Sequence, residues 1–237
     1  MSAYYNENDP FAAAWLRELI KAGLIADGEI DERSIADVTA DDVRGFTQCH
    51  FFAGIGGWSY ALRLAGWPDD RAVWTGSCPC QPFSSASNRH NTRTDDAKHL
   101  WPTFSRLIAA SVPSVVFGEQ IAQAGDWFAE VCADLENYGY EIGAAVLPAV
   151  AIGADHARAR LYFVGDSHGD SKPIIAGNDS QTSRLSRRGS DAERMVPTHG
   201  VSARVGRLRG YGNAIVPQVA QVFIEAYMDI TVEHRTA

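Results

Sequence analysis

The chain has 237 residues, 46% of them hydrophobic, and a formal net charge of −8. That length suits one α/β domain with a small appendage, and the apolar share is enough for a core. The acid excess argues against a chain held on nucleic acid by overall charge, though not against a local basic face. No apolar run approaches the roughly 20 residues of a bilayer span. The opening MSAYYNENDPF is too polar and acidic for a signal peptide, so no membrane partner and a cytoplasmic location are expected. Cys49, Cys78, Cys80 and Cys132 are too few for a disulfide framework. One C-x-C pair falls short of the four ligands of a structural zinc, so no metal is expected.

In chain order, PFAAAWLRELIKA (10–22) reads as a helix, with Asp9 as its cap, Pro10 at its first position and Gly23 after it. FTQCHFFA (46–53) reads as a strand running into the glycine cluster GIGG. WSYALRLAG follows as a short helix closed by Gly66. VWTGSC (73–78) is a second strand, ending in a proline loop. TFSRLIAAS (103–111) is helical. PSVVFGEQ (113–120) is an apolar run of the buried-strand kind. DWFAEVCADLENYGY is an amphipathic helix with Gly139 near its end. AAVLPAV and RLYFVG are further strands, and FIEAYMDI closes the chain as helix or strand. Strands alternating with helices predict an α/β fold, a doubly wound and mostly parallel sheet covered on both faces. Residues 166–206 are rich in Ser, Gly, Asp and Arg, with no aromatic besides histidine, and read as a long surface loop or a partly disordered insertion. Residues 166–210 hold eight Lys/Arg against five Asp/Glu, which leaves about −11 on the remainder.

Four features can carry chemistry. In GSCPCQPFS (76–84), Cys80 lies between two prolines, which fix φ, remove two backbone donors and stiffen the loop. This suits a structural turn, a metal corner or a nucleophile platform. HFFAGIGGW lets the backbone approach a ligand at a helix N-terminus; a tight strand-to-helix turn would look the same. Glu119 closes a buried strand, where α/β sheets bind ligands, or else serves as a cap or a surface ion pair. Arg158 and Arg160 alternate ahead of an apolar strand and so share a face.

Taken together these features resemble the C5-cytosine DNA methyltransferases of the Dcm-like family. FAGIGG (52–57) matches the methyl-donor loop and PCQPFS (79–84) the nucleophile loop. GEQI (118–121) stands where the family has Glu-Asn-Val. GADHARARLYFVG stands where it has Gly-x-Pro-Gln-x-Arg-x-Arg before a strand. RLRGYGNAIVPQVA (207–220) matches the closing Gly-Asn-(Ser/Ala)-Val-x-Pro segment. The resemblance implies a Rossmann-like methyltransferase fold, S-adenosyl-L-methionine as cofactor and DNA as partner. It implies that the Cys80 thiolate adds to C6 of a flipped cytosine and that C5 then takes the methyl group. Glu119 would hydrogen-bond N3 and the exocyclic amine, Arg160 would hold O2, and Arg158 would support the loop or a phosphate. The donor site would comprise Phe52, Ala53, Gly54, Ile55, Gly56 and Gly57, with Pro79, Asn213, Ala214 and Ile215. Gln81, Ser84, Arg184, Arg187 and Arg188 would meet DNA. Cys78 is read as packing.

The family's acidic Asn-Glu-x-Asp-Pro segment, which holds the donor ribose, does not follow the first helix here. YYNENDPFAAAWLREL at the N-terminus resembles it, and GEIDERSIADVTADDVRG resembles the segment after it. A circularly permuted order follows. Two strands from residues 1–38 would precede the glycine strand, giving sheet order 2-1-3-4-5 with the last two strands at the far edge. Glu7 and Asn8 would then reach the ribose. Asp31 and Ser34, with Ile35, both align at the adenine. Gln120 stands for the usual Asn and His156 for the usual Gln. Residues 1–165 and 207–237 would form the catalytic domain and 166–206 a shortened target-recognition segment, helped by a partner protein or a second copy. A phage-like modification role fits the size. An RNA substrate, a silent DNA-binding relative and altered cytosine chemistry are the alternatives.

Overall fold

Seven segments pair into one sheet: β1 (Ala3–Asn6), β2 (Gly28–Asp31), β3 (Gln48–Phe51), β4 (Val73–Gly76), β5 (Val115–Ile121), β6 (Glu141–Pro148) and β7 (Ala159–Asp166). The computed structural model describes residues 3–79, 99–154, 158–167 and 214–235. The strand order is β2-β1-β3-β4-β5-β7-β6. The first five strands run parallel, and β7 lies antiparallel between β5 and β6. The permuted order expected from the N-terminal segment is the order found. β1 and β2 come first in sequence, yet they lie beside β3, on the side away from β4.

Among the described residues five helices cover the sheet: α1 (Pro10–Lys21), α2 (Gly57–Leu64), α3 (Trp101–Ser111), α4 (Gly125–Asn137) and α5 (Pro217–Arg235). The period-two alternation of the strands sorts the residues between two faces. Cys49, Phe51, Trp74, Val116 and Phe163 point to one face and meet Trp101, Phe104 and Trp127 from α3 and α4. Phe117, Tyr162 and Val164 point to the other and meet Trp58 of α2 and Phe223 and Tyr227 of α5. Tyr5 joins this second face and packs with Leu16 of α1 and with Ile25. Removing one such ring typically costs about 3–5 kcal/mol, so the two layers fix the height of every strand between them.

Local signals act as read. The Asp9 carboxylate accepts from the amides of Phe11 and Ala12, and Pro10 opens α1. Gly23 follows with φ of 68°. The strand read at 46–53 is shorter, Gln48–Phe51, because the chain turns at Phe52. The closing segment is a helix. AAVLPAV divides: β6 ends at Pro148 and Ala149–Ile152 is a 3-10 turn. Among the described residues no helix is long and apolar enough to cross a membrane.

Candidate active site

Parallel strands deliver their C-terminal ends to one edge of a sheet, and there α/β folds bind ligands. At this edge β1 releases Glu7, β3 releases the glycine loop, β4 releases Ser77 to Pro79, and β5 carries Glu119.

The glycine loop and the N-terminal segment meet. Ala53 N donates to Asn6 O (3.0 Å), and Gly54 N donates to Glu7 Oε2 (2.7 Å). Glu7 Oε1 accepts from Asp9 N at 2.8 Å. Two backbone amides thus aim this carboxylate at the loop. Phe52 takes φ of 51°, a conformation that non-glycine residues seldom adopt, and so turns the chain out of β3. Gly56 caps α2 with φ of 81°, a value open to glycine at little cost. Gly57 admits a close neighbour: a Cβ there would lie 2.7 Å from Ile215 Cγ1. The closing segment therefore packs on the helix that follows the glycine loop, with Ile215 buried and Ala214 half-buried. Ile55 is half-buried, and Asn8 and Pro79 are exposed.

At the end of β2, Asp31 is already engaged. Arg33 donates to both of its carboxylate oxygens, and Tyr4 OH donates to Oδ2 at 2.7 Å. The Arg33 contacts lead in lowering its carboxyl to about 2. Asn6 Nδ2 donates to the carbonyls of Asp31 and Arg33, which fixes the following turn. In that turn Ser34 Oγ accepts from Ala36 N, and Ile35 is buried. The two adenine candidates thus differ: the Asp31 carboxylate is saturated, while the Ser34 hydroxyl caps a turn.

Glu119 is 6% exposed. Arg160 Nε donates to its Oε1 at 2.9 Å. Burial raises the Glu119 carboxyl above the ordinary range, against the lowering influence of Arg160, Arg158 and a hydrogen bond from Ser77. Burial also leads in lowering Arg158, with Arg160 adding to it. Strand register explains the group. Ile121 faces Arg160 and Glu119 faces Tyr162, so Glu119 and Arg160 are same-face diagonal neighbours on β5 and β7. β7 is interior to the sheet, so Arg158 and Arg160 are no solvated strand edge. Gln120 points to the opposite face and is 3% exposed. Its Nε2 donates to Cys78 O at 3.2 Å, and its Oε1 accepts from Ile121 N. Cys78 is buried, which pushes its thiol well up; it packs, as expected. Cys80, Gln81, Ser84, His156, Arg184, Arg187, Arg188 and Asn213 lie outside the described residues. No metal-holding group of His, Cys, Asp or Glu occurs among the described residues.

Residues 67–210 match the family model described as C-5 cytosine-specific DNA methylase. The chain belongs to this family. The match begins past the glycine loop, and the permuted N-terminal block precedes it. A 96-residue stretch is 30% identical to the Type II methyltransferase M.HgiDI of Herpetosiphon aurantiacus, covering 40% of this chain and 30% of that protein. The fold is similar to that of DNMT2 from Spodoptera frugiperda, with a TM-score of 0.50, 11% identity and coverage of 74% of this chain and 45% of that one. An Escherichia coli prophage-encoded putative DNA modification methyltransferase aligns over 74% of this chain and 51% of that one, at 15% identity and a TM-score of 0.41. The chain thus spans less than half the length of the first two.

The family motifs do not reveal Ser77, beside Glu119, or Trp58, which hydrogen-bonds Ser77. Ser77 stands between Gly76 and Cys78, where any small residue fits a strand end. Trp58 reads as core. The available signal was register: once β4 and β5 pair at Gly76 and Gly118, Ser77 falls beside Glu119.

Proposed function

We propose that the chain is an S-adenosylmethionine-dependent DNA (cytosine-5) methyltransferase. The observation that carries this reading is the buried Glu119 paired with the half-buried Arg160, beside the strand that leads to Pro79-Cys80, on the sheet edge that also holds the glycine loop and Glu7.

The donor fits its side of the edge. Glu7 offers an acceptor to a ribose diol, and the loop at 52–57 leaves open space at Gly54, where backbone can come close. Ala214 and Ile215 close the loop from the other side. Bound there, the donor supplies an electrophilic sulfonium methyl. On the base side, Cys80 adds as thiolate to C6. A carboxyl held above its ordinary range suits delivery of a proton to N3 as that charge develops. Arg160 neutralises the same carboxyl when it ionises and would hold the base carbonyl. C5 takes the methyl group, N3 returns its proton to Glu119, and loss of the C5 proton to water lets the thiolate leave.

The family description, which names DNA, supports DNA as the substrate. Arg184, Arg187 and Arg188 would meet phosphates, which position without specifying; a partner protein or a second copy would supply sequence choice. The test is nucleoside mass spectrometry after incubating duplex DNA, and separately a structured RNA, with methyl-deuterated donor and either the wild type or Cys80→Ala. Labelled 5-methylcytosine from DNA, absent with Cys80→Ala, is expected. Label in RNA alone would move the substrate to RNA. No label in either, with the donor bound, would overturn the reading.

A further inference from the structure

Behind Glu119 lies a polar contact that the reaction scheme does not use. Trp58, the second residue of α2, is 4% exposed. Its ring stacks on Phe117 at 6.0 Å and meets Tyr162 edge-on at 6.0 Å. Its indole Nε1 lies 3.0 Å from Ser77 Oγ. An indole N–H can only donate, so Ser77 must accept here. Its own hydroxyl hydrogen is then free to be donated elsewhere. Beyond the Gly76–Gly118 pair, alternation along the strands puts Ser77 next to Glu119 on the same face. Ser77 hydrogen-bonds the Glu119 carboxyl, which can only accept when ionised. With Glu119 ionised the chain runs one way: Trp58 to Ser77 to Glu119, with Arg160 closing on the carboxylate from β7.

The geometry points to Ser77 and Trp58 as positioning residues for the base-recognising carboxyl, a two-bond relay that ties Glu119 to the helix emerging from the glycine loop. The inference rests on the methyltransferase reading for its purpose, but its hydrogen bonds can be tested without turnover. The relay has two consequences. The carboxyl is gripped from two directions, which leaves one orientation for its reactive edge. The donor loop and the base site also share one rigid helix end: Gly57 packs against Ile215, and the next residue holds Ser77.

The variants are Ser77→Ala, Ser77→Thr and Trp58→Phe. The last keeps an aromatic ring in the packed position and removes the donor along with part of the indole. The first readout is the Glu119 titration, followed by carbon NMR on protein labelled at the glutamate carboxyls, with the resonance assigned by Glu119→Gln. Losing a donor to a buried carboxylate disfavours its charged form. The midpoint should rise by about one pH unit in Ser77→Ala. It should rise less in Trp58→Phe and return to the wild-type value in Ser77→Thr, which keeps the hydroxyl. The second readout is turnover on DNA. About a tenfold loss of kcat is expected in Ser77→Ala, with donor KM unchanged. An unmoved Glu119 midpoint in Ser77→Ala overturns the relay whatever the enzyme does. A moved midpoint with unchanged kcat confines it to structure and overturns the positioning role. A wild-type protein that transfers no methyl group counts against the functional reading instead, and the titration still decides the relay.

Discussion

Two carboxylates stand at C-terminal strand ends of one sheet, Asp31 on β2 and Glu119 on β5, and their surroundings treat them oppositely. Asp31 sits among donors: Arg33 and Tyr4 lead in holding it at about 2, so it stays charged. Glu119 sits among Phe117, Tyr162 and Trp58, and burial raises it despite Arg160 and Arg158. Solvent access makes the difference. Arg33 is half-exposed and can crowd Asp31 without being desolvated, whereas Arg160 meets Glu119 inside the protein. Under the proposed function the two environments suit two tasks: a fixed charge would brace the donor side, and a proton-exchanging group would serve the base side.

The comparison breaks most readily at Glu119. Glu119→Gln keeps the shape and removes the titrating proton. Turnover should fall about 100- to 1000-fold with the donor affinity retained, checked by single-turnover kinetics and calorimetry. Gly118→Ala should come next. A Cβ at Gly118 would lie 2.1 Å from Phe163 Cζ, and that ring is fully buried. Overpacking of this kind costs about 1–3 kcal/mol, to be read from denaturant midpoints; it also displaces Glu119, so activity should fall more than stability accounts for. Gln120→Leu is milder. It removes the bond to Cys78 O while filling a similar volume, and about a tenfold loss in kcat with unchanged donor KM is expected. Gln120→Asn, one methylene shorter, should restore part of it only if the loop can move inward.

Much of this division was legible in the sequence. Asp9, Pro10 and Gly23 announce α1 by local chemistry, and the placement of YYNENDP ahead of FAGIGG implied the permuted order that the sheet adopts. Glu119 was readable because a carboxylate ending an apolar run has few places to go. That Arg160 pairs with it was not readable, since the pairing depends on antiparallel register with β7, which no spacing encodes. Ser77 and Trp58 were invisible for the same reason. Their contact joins a helix start to a strand end nineteen positions apart, and each residue has an ordinary reading alone. Asp31 was legible as a candidate, but its commitment to Arg33 and Tyr4 required β1 and β2 to be paired first.

Asp31→Asn tests the other half of the comparison and should have the smallest effect. The folded carboxyl is depressed from 3.8 to about 2. A depressed pKa contributes stability above the unfolded value and loses it as pH falls through the folded one. The contribution of Asp31 is therefore complete above about pH 5 and disappears between about pH 4 and 2. In that window the wild type takes up about one proton on unfolding that Asp31→Asn does not, so the acid limb of the variant should be flatter by that one proton. At neutral pH the loss should stay within about 1 kcal/mol, because Arg33 is half-exposed and water screens the pair. Donor affinity should fall only a few-fold, roughly what a loosened turn at Ser34–Ile35 costs, with kcat unchanged. A drop in kcat as large as that of Glu119→Gln would mean that Asp31 does more than brace the turn, and the contrast between the two strand ends would fail.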